Sequence, residues 1–475
     1  MPHPKGKFIR NFIYLLSGDL VAKTLGFLAI IFIARKLGVE EFGRLGFAEA
    51  FFSYFIYIGI AGVDTIAVRD IARDKARTNI NTYLGNVMSL KLILSVVAYI
   101  SLIAIVLSLN IALPLKHLTL LYGLCLLPVA LSTEWLFQGI EKMKYIGLFK
   151  ILREATYIIG VLLILTITSS SYAIPIVRMI AMLVAVLFLF VVISNIGFKL
   201  WPKKDFVLWK SLLKQSHPIL TSQLLVMIVY NCSIIILGVL DMPEEIGYFS
   251  AVQKIVLFFI SMAGIFWAVA FPVVSSLFVE SREKLSVFQE KLSKILCVIS
   301  IPIGFIGFTL AGPILTFLYG DAYAKSIQVF RILIWVAMLA FLTGIFAQGL
   351  LATGKQHLFL KTVLIQTVIS VGLAIYLIPR LGVVGAAISW LLSEIVLFFI
   401  NKRFYDRVVK FTFYRHLIKP VLASLLIVLV LNYFDSLKTI IAFPLCFIVY
   451  FIIMLIIKGI RIDELKSTCR SIVGE

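Results

Sequence analysis

Charged side chains interrupt the first two long apolar stretches of this sequence. Asp19 and Lys23 lie four residues apart in the first stretch, and Glu49 lies in the second. A charge in hydrocarbon is costly, so it usually faces a cavity or an oppositely charged partner. Lys23 lies about 18 Å into its stretch at about 1.5 Å per residue, and an acid four residues before a base favours pairing on a helix. Either the two residues neutralise each other, or Lys23 binds an anionic group while Asp19 tunes it or takes a cation.

Glu394 lies near the middle of a later apolar stretch and has no base beside it in the sequence. It must therefore pair with a distant residue or be protonated, which makes it a candidate proton site. Other charges lie nearer the ends of their stretches, where long side chains can reach the membrane surface or find partners. These are Lys91, Glu134, Arg153, Glu154, Arg178 and Arg331.

The composition identifies the elements that hold these residues. Of 475 residues, 61% are hydrophobic and 14% are charged. Soluble domains contain about 45 to 50% apolar and about 25% charged residues, so a soluble, disordered or fibrous protein is excluded. Fourteen membrane spans of about 20 residues would use about 280 residues, close to the apolar total. The sequence therefore predicts an all-α, polytopic membrane protein.

Apolar stretches long enough to cross a bilayer predict about fourteen transmembrane helices. They lie at residues 11–34, 42–63, 84–109, 118–139, 149–168, 173–194, 218–240, 248–278, 292–311, 327–350, 359–378, 384–401, 418–434 and 439–457. Between the second and third of these, residues 64–79 space apolar residues among charges at near-helical intervals. This pattern is typical of either an interfacial helix or a solvated loop.

The placement of the positive charges predicts how the chain crosses the membrane. The formal net charge is +20, with 44 Lys and Arg residues. With the N-terminus inside, about 31 of them fall in inner segments, about 7 in outer segments and 6 within spans. Basic residues favour cytoplasmic loops, so we expect both termini in the cytoplasm and the chain in the cytoplasmic (inner) membrane. The asymmetry explains the positive charge without a nucleic-acid partner.

Signals for catalysis, cofactors and metals are weak. Residues 349–355 resemble the start of a phosphate-binding P-loop, but Gln356 stands where Ser or Thr is required, and an apolar helix precedes the motif. The five cysteines and five histidines show no metal-ligand spacing. The external connections are too short for a catalytic domain. We therefore expect no enzyme, no organic cofactor and no metal site.

Two segments of the sequence are repeated. Residues 38–49, which begin Gly-Val-Glu-Glu-Phe-Gly, correspond to residues 242–253, which begin Met-Pro-Glu-Glu-Ile-Gly, 204 residues later. The Gln-Gly pair at residues 138–139 corresponds to the pair at residues 348–349. Both segments occupy matching places in a set of six helices, so they indicate an internal duplication.

This duplication predicts the architecture. Because six helices are an even number, the second copy enters the membrane in the same orientation as the first. We expect two parallel six-helix lobes around a central cavity, at residues 1–205 and 206–404, with a helix pair and tail at residues 405–475.

These features together are similar to one known family. They include a basic N-terminus that runs into residues 11–18, the outer turn at residues 37–43 and the Gln-Gly turns. The whole chain resembles the polysaccharide transporter branch of the MOP flippase superfamily, which includes the O-antigen (Wzx-type) flippases. The resemblance implies that polyprenyl-pyrophosphate-linked oligosaccharide is moved from the inner to the outer leaflet by alternating access.

In this family, helices 1, 2, 7 and 8 border the central cavity, and the resemblance implies which side chains face it. Lysines would meet the pyrophosphate, while polar and aromatic groups would contact sugar hydroxyls and rings; helix packing and snorkelling are the alternative roles. The residues expected to bind substrate are Lys23, Lys254, Gln253, Asn231 and Tyr54. Those expected to couple an ion or to pair are Asp19, Glu49 and Glu394.

The resemblance also implies partners and rivals. The expected partners are the lipid-linked oligosaccharide, the lipid bilayer, a polysaccharide polymerase and glycosyltransferases, and H⁺ or Na⁺ is the candidate coupling ion. The alternative functions within the same superfamily are those of a lipid II flippase and of a MATE-like cation-coupled exporter. The exporter would be expected to have an acid-dominated cavity. A membrane glycosyltransferase or polymerase would usually carry a large external loop, which this sequence lacks.

Overall fold

The regular secondary structure of the protein is helical. The computed structural model describes residues 4–73, 80–434, 439–457 and 459, with side chains from residue 14 onward, and no β-strand occurs in these ranges. The helices are α1 (Pro4–Ile60), α2 (Val63–Arg73), α3 (Ile80–Ser108), α4 (Leu113–Gly123), α5 (Leu126–Ala130), α6 (Glu134–Gly139), α7 (Met143–Ile167), α8 (Ala173–Asn195), α9 (Phe206–Val239), α10 (Pro243–Glu280), α11 (Arg282–Thr309), α12 (Ala311–Tyr319), α13 (Ser326–Ala352), α14 (Gln356–Tyr405), α15 (Ile418–Tyr433) and α16 (Ala442–Ile456). The predicted all-α class is confirmed.

Two of these helices bend sharply at a glycine. Gly38 divides α1 and Gly382 divides α14, with φ angles of 78° and 55°. Glycine adopts positive φ without the steric cost that a Cβ atom imposes. The bends fall between the first and second predicted spans and between the eleventh and twelfth. Each bent helix therefore accounts for two predicted spans.

The number of spanning helices differs from the predicted fourteen. In the described residues, ten helical stretches are long and apolar enough to cross a bilayer, and each bent helix is counted once. Two predicted spans do not qualify: α7 carries Lys150, Arg153 and Glu154, and α16 has only 15 residues. The chain is a multi-pass membrane protein, while the number fourteen is not confirmed.

The structure also differs from the prediction in the fourth span, and it shows which conformation part of the segment between the second and third spans adopts. Residues 118–139 contain α5, α6 and most of α4 in place of one continuous helix. Residues 63–73 form α2, whose apolar face buries Val63, Ile66 and Ile71, so this part is a helix and not a solvated loop; its place at the membrane interface remains a prediction. Residues 74–79 lie outside the described residues.

The helices pack into two compact units, residues 1–247 and 248–475. In the first unit, α1 packs along α7, α7 packs on α8, and α9 packs on α1, α2 and α3. In the second unit, α13 packs on both α11 and α14, while α15 and α16 pack on α11. The predicted lobe boundaries at residues 205 and 404 remain a prediction.

The repeated turns touch each other within the first unit. We call residues 38–43 and 242–247 the paired turns; Gly43 and Gly247 occupy equivalent positions in them. A Cβ atom on Gly43 would overlap the carbonyl oxygen of Pro243, and a Cβ on Gly247 would overlap that of Val39, the residue equivalent to Pro243. The contact is therefore reciprocal, as at a two-fold axis, and it requires residues without side chains.

Candidate substrate-binding site

Two lysines share one carboxylate between α1 and α7. Lys23 Nζ lies 2.6 Å from Asp19 Oδ2, and Lys150 Nζ lies 2.9 Å from Asp19 Oδ1. The spacing of Asp19 and Lys23 predicts their pairing, whereas Lys150, at the start of the predicted span 149–168, is not among the predicted site residues. All three side chains retain partial exposure, between 21% and 32%. Two positive charges against one negative charge leave a local excess of one positive charge.

A second ion-pair group lies further along α7. Arg153 Nε donates to Glu154 Oε1 at 2.8 Å, and Arg178 Nη1 of α8 donates to Glu154 Oε2 at 3.2 Å. The Glu154 side chain is only 7% exposed. The guanidinium of Arg178 also lies 4.7 Å from the centre of the Tyr157 ring. Two guanidinium groups thus compensate a carboxylate that would otherwise be buried without a partner.

The close approach of α1 to α7 makes room for these groups. A Cβ atom on Gly18 would lie 2.5 Å from the Cα of Gly147, so the two backbones meet there. A Cβ on Gly26 would lie 3.2 Å from Glu154 Oε2. Glycines on α1 therefore let the charged side chains of α7 lie against its backbone.

Two further acids act on the same basic residues. Glu49 interacts electrostatically with Arg178, and Glu134 interacts with Arg153 and Lys150. We call the whole set the α1–α7 charge cluster: Asp19, Lys23, Glu49, Glu134, Lys150, Arg153, Glu154 and Arg178. Its four bases and four acids balance formally. The positive excess is thus local to Asp19, where two ammonium groups meet one carboxylate.

Lys91 forms a separate ion pair. Its side chain is fully buried, and Nζ lies 2.9 Å from Asp64 Oδ1 at the start of α2. It also donates to the carbonyl oxygen of Ser132 at 2.9 Å, in the gap between α5 and α6. This lysine satisfies a backbone carbonyl where the helix is interrupted, so its contacts are those of a structural anchor.

Tyr54 and Asn231 bridge α1 and α9. The Tyr54 hydroxyl donates to the carbonyl oxygen of Met227 at 3.3 Å, and Asn231 Nδ2 donates to Ser53 Oγ at 3.0 Å. The structure therefore brings these two predicted residues onto one helix interface. Their bonds are those expected for polar helix packing, and their roles toward a substrate remain predictions.

The other three predicted residues lie in the second unit. Gln253 is buried and Lys254 is half-buried on α10. Glu394 of α14 is 7% exposed and accepts a hydrogen bond from Gln366 Nε2 at 3.0 Å. The polar side chains of Thr343 and Ser370 are also buried in this unit. Their roles in binding or coupling remain predictions as well.

The described residues contain no group of three or more His, Cys, Asp or Glu side chains that could hold a metal. What the α1–α7 charge cluster offers is a pair of ammonium groups beside a single carboxylate. Ammonium groups are compact positive charges that bind phosphate oxygens. The contact of Lys150 with Asp19 could not be inferred from spacing, because the two residues lie 131 positions apart in the sequence and meet only through the packing of α7 on α1.

Comparison with known proteins gives the family context of this arrangement. The sequence profile of the family described as "Polysaccharide biosynthesis protein" matches residues 8–278. A protein of Escherichia coli (strain K12) named "Putative O-antigen transporter" is 26% identical over 397 residues, which cover 81% of this chain and 93% of that protein.

Solved structures agree on the fold. The lipid II flippase MurJ, in an inward closed conformation, superposes with a TM-score of 0.79 at 16% identity, covering 94% of this chain and 98% of MurJ. An inward-facing multidrug resistance MATE family transporter of the MOP superfamily gives 0.68 at 18% identity, covering 84% of this chain and 98% of that one. At these identities the likeness concerns the architecture alone.

Proposed function

The chain belongs to the polysaccharide biosynthesis protein family, whose profile matches more than half of its length, and we propose that it is a flippase for polyprenyl-pyrophosphate-linked oligosaccharide. In this proposal, the protein moves the repeat unit of an O-antigen or another surface polysaccharide from the inner to the outer leaflet. The relative named as an O-antigen transporter supports this substrate class.

The single observation that carries the proposal is the pair of lysines at Asp19. Lys23 and Lys150 lie 2.6 and 2.9 Å from opposite oxygens of the Asp19 carboxylate. Either ammonium group can therefore leave Asp19 and bind a phosphate oxygen while the other still compensates the charge of Asp19. Pyrophosphate loses hydration when it leaves water, and fixed positive charge replaces that hydration. A partly exposed ammonium pair is therefore suited to the headgroup of the lipid carrier.

Movement of the substrate follows from alternating access between two repeated lobes. Cytoplasmic termini in the inner membrane, expected from the charge asymmetry, would place the start of α1 at the leaflet where the lipid-linked unit is made. Moving a negative headgroup outward gains about 2.3 kcal/mol per charge per 100 mV of membrane potential. A polymerase outside and glycosyltransferases inside are the partners that this direction requires.

A coupling proton or sodium ion would add to that driving force. Glu394 is the candidate for this role because its carboxyl is buried and accepts a hydrogen bond from Gln366, which is neutral. A carboxyl group in such a place can gain or lose a proton when its surroundings change during transport.

The alternative of a MATE-like cation exporter shares the fold. An exporter of cationic drugs needs a predominantly acidic site, whereas Asp19 faces two lysines. The charges at this point favour an anionic cargo. A lipid II flippase also handles a polyprenyl pyrophosphate, so the two flippase proposals differ in the sugar and not in the charge that is recognised.

The proposal is tested by flipping of a fluorescent polyprenyl-pyrophosphate oligosaccharide in proteoliposomes that hold the full chain. We expect Lys23→Gln and Lys150→Gln each to lower the rate at least tenfold, and Lys23→Arg to retain most of it because the positive charge remains. Lys116→Gln is the matched control, since this lysine is half-buried in the first turns of α4 and is not part of the α1–α7 charge cluster. Unchanged flipping in Lys23→Gln and Lys150→Gln, with normal membrane insertion, would exclude the proposed headgroup site.

A further inference from the structure

The connection between α8 and α9 forms a strongly basic surface. Residues 196–217 contain five lysines and a single acid, Asp205. All five lysine side chains are exposed: Lys199, Lys203, Lys204, Lys210 and Lys214. The carboxylate of Asp205 accepts hydrogen bonds from the backbone nitrogens of Val207 and Leu208 and so caps the start of α9. The acid of the segment is thus directed at the helix end.

This connection is fixed against α3 by hydrogen bonds. The backbone nitrogen of Lys199 donates to Asn81 Oδ1 at 3.0 Å, and Lys203 Nζ donates to Thr82 Oγ1 at 3.1 Å. Further along, the indole Nε1 of Trp209 donates to the carbonyl oxygen of Asn86 at 3.1 Å. The lysines are therefore displayed on an ordered surface.

The first turns of α9 are amphipathic, with the basic face turned outward. Trp209, Leu212 and Ser216 are buried on the face that joins the core of the first unit. Lys210 and Lys214, four residues apart, lie on the exposed face. Pro218 follows, after which α9 continues as an apolar helix long enough to span a bilayer. The basic face therefore lies just before a membrane-spanning segment.

Large apolar side chains of the same segment are also exposed. Trp201 is 70% exposed, Phe206 is 72% exposed and Val207 is 82% exposed. Indole and phenyl groups next to lysines at the end of a span are typical of segments that lie in the headgroup region of a membrane. Neither water nor an acidic soluble partner would favour this combination of aromatic groups and ammonium groups.

We propose that the surface formed by residues 199–214 binds the headgroups of anionic phospholipids in the leaflet that it faces. Lys204, Lys210 and Lys214 pair with headgroup phosphates, while Trp201 and Phe206 enter the acyl boundary beside them. Because the segment joins α8 to α9 and is anchored to α3, bound lipid holds this connection at a fixed depth. The site is independent of the transported cargo.

The test is fluorescence quenching of Trp201 in vesicles of phosphatidylcholine that contain a minor fraction of chain-brominated lipid. The brominated lipid is either phosphatidylglycerol or phosphatidylcholine, and the contribution of Trp201 is the difference between the full chain and Trp201→Phe. We expect phosphatidylglycerol to bind at Trp201 about fivefold more strongly than phosphatidylcholine, or more, because the attraction of one lysine to an anionic membrane surface has about this effect. High salt should reduce this preference.

Replacing Lys204, Lys210 and Lys214 together with Gln should bring the preference close to one, whereas Lys116→Gln should leave it unchanged. The single variant Lys210→Gln, which should lower the preference partially, serves if the triple variant does not insert. Equal quenching by the two lipids overturns the proposal, and so does a preference that survives the triple substitution. Absence of quenching by either lipid also overturns it and would direct the search to an acidic protein partner.

Discussion

Adding a methyl group where the paired turns meet should push them apart. In Gly247→Ala, the new Cβ would overlap the carbonyl oxygen of Val39 and would also lie 2.8 Å from its Cγ1, whereas an ordinary contact is 3.4 Å or more. The backbone at Val39 must therefore move away, and overpacking of this kind costs about 1 to 3 kcal/mol. That energy corresponds to a change of about 5- to 150-fold in the ratio of closed to separated turns.

The same substitution has a helix-propensity effect that must be measured separately. Alanine is favoured over glycine in a helix by about 1 kcal/mol, which opposes the steric cost. Gly264→Ala, on the same helix α10, provides the matched control because no atom lies within 4 Å of its added Cβ. The difference between the two variants isolates the contact with Val39.

The separation can be read by pulsed electron paramagnetic resonance between spin labels at Glu40 and Glu244, which are equivalent and exposed positions of the paired turns. The four described cysteines are buried, and Cys469 would be replaced by Ser. We expect a single short distance in the parent, a larger fraction of long distances in Gly247→Ala, and the parent distribution in Gly264→Ala. Identical distributions in all three proteins would refute the steric argument.

Two further changes test the buried charges. Lys91→Met should destabilise the protein by about 3 to 5 kcal/mol, because Asp64 and the carbonyl of Ser132 lose their partner. Adding Asp64→Asn should recover part of the lost stability. Thermal unfolding in detergent measures both variants, and equal stability of Lys91→Met and the parent would contradict this role. Glu394→Gln should fold normally but make flipping insensitive to an imposed proton gradient, while the exposed Glu283→Gln should not; a gradient response that survives Glu394→Gln would rule out this carboxyl as the coupling group.

Sequence reasoning reached the helical class and the breaks between the predicted spans at which α1 and α14 bend, because each depends on local pattern. Apolar runs require helices in a membrane, where every backbone group must be satisfied within the segment. Gly38 and Gly382 mark turns because positive φ is a local demand on one residue. The number of spans depends instead on whether a charged helix such as α7 is accepted as membrane-spanning, and hydropathy alone does not decide that.

The charge cluster shows where local pattern stops being sufficient. Asp19 and Lys23 were paired by their spacing, but Lys150 is 131 residues away from Asp19 and joins them only because α1 and α7 pack at Gly18 and Gly147. Likewise, Glu154 of α7 forms an ion pair with Arg178 of α8, 24 residues away in the sequence. A sequence states how many charges must be compensated; the packing of small residues determines which charges can meet.

The same reasoning explains why α7 can lie among apolar helices despite carrying three charges within five residues. Lys150 is compensated by Asp19, Arg153 by Glu154, and Glu154 also by Arg178, so each charge has a partner within the first unit. Exposure then separates the groups: the Glu154 carboxylate is buried and stabilises the helix packing, whereas the ammonium groups at Asp19 remain partly accessible. An anionic headgroup can compete for Asp19's partners without leaving a buried charge unpaired, which is the property that a transient binding site requires.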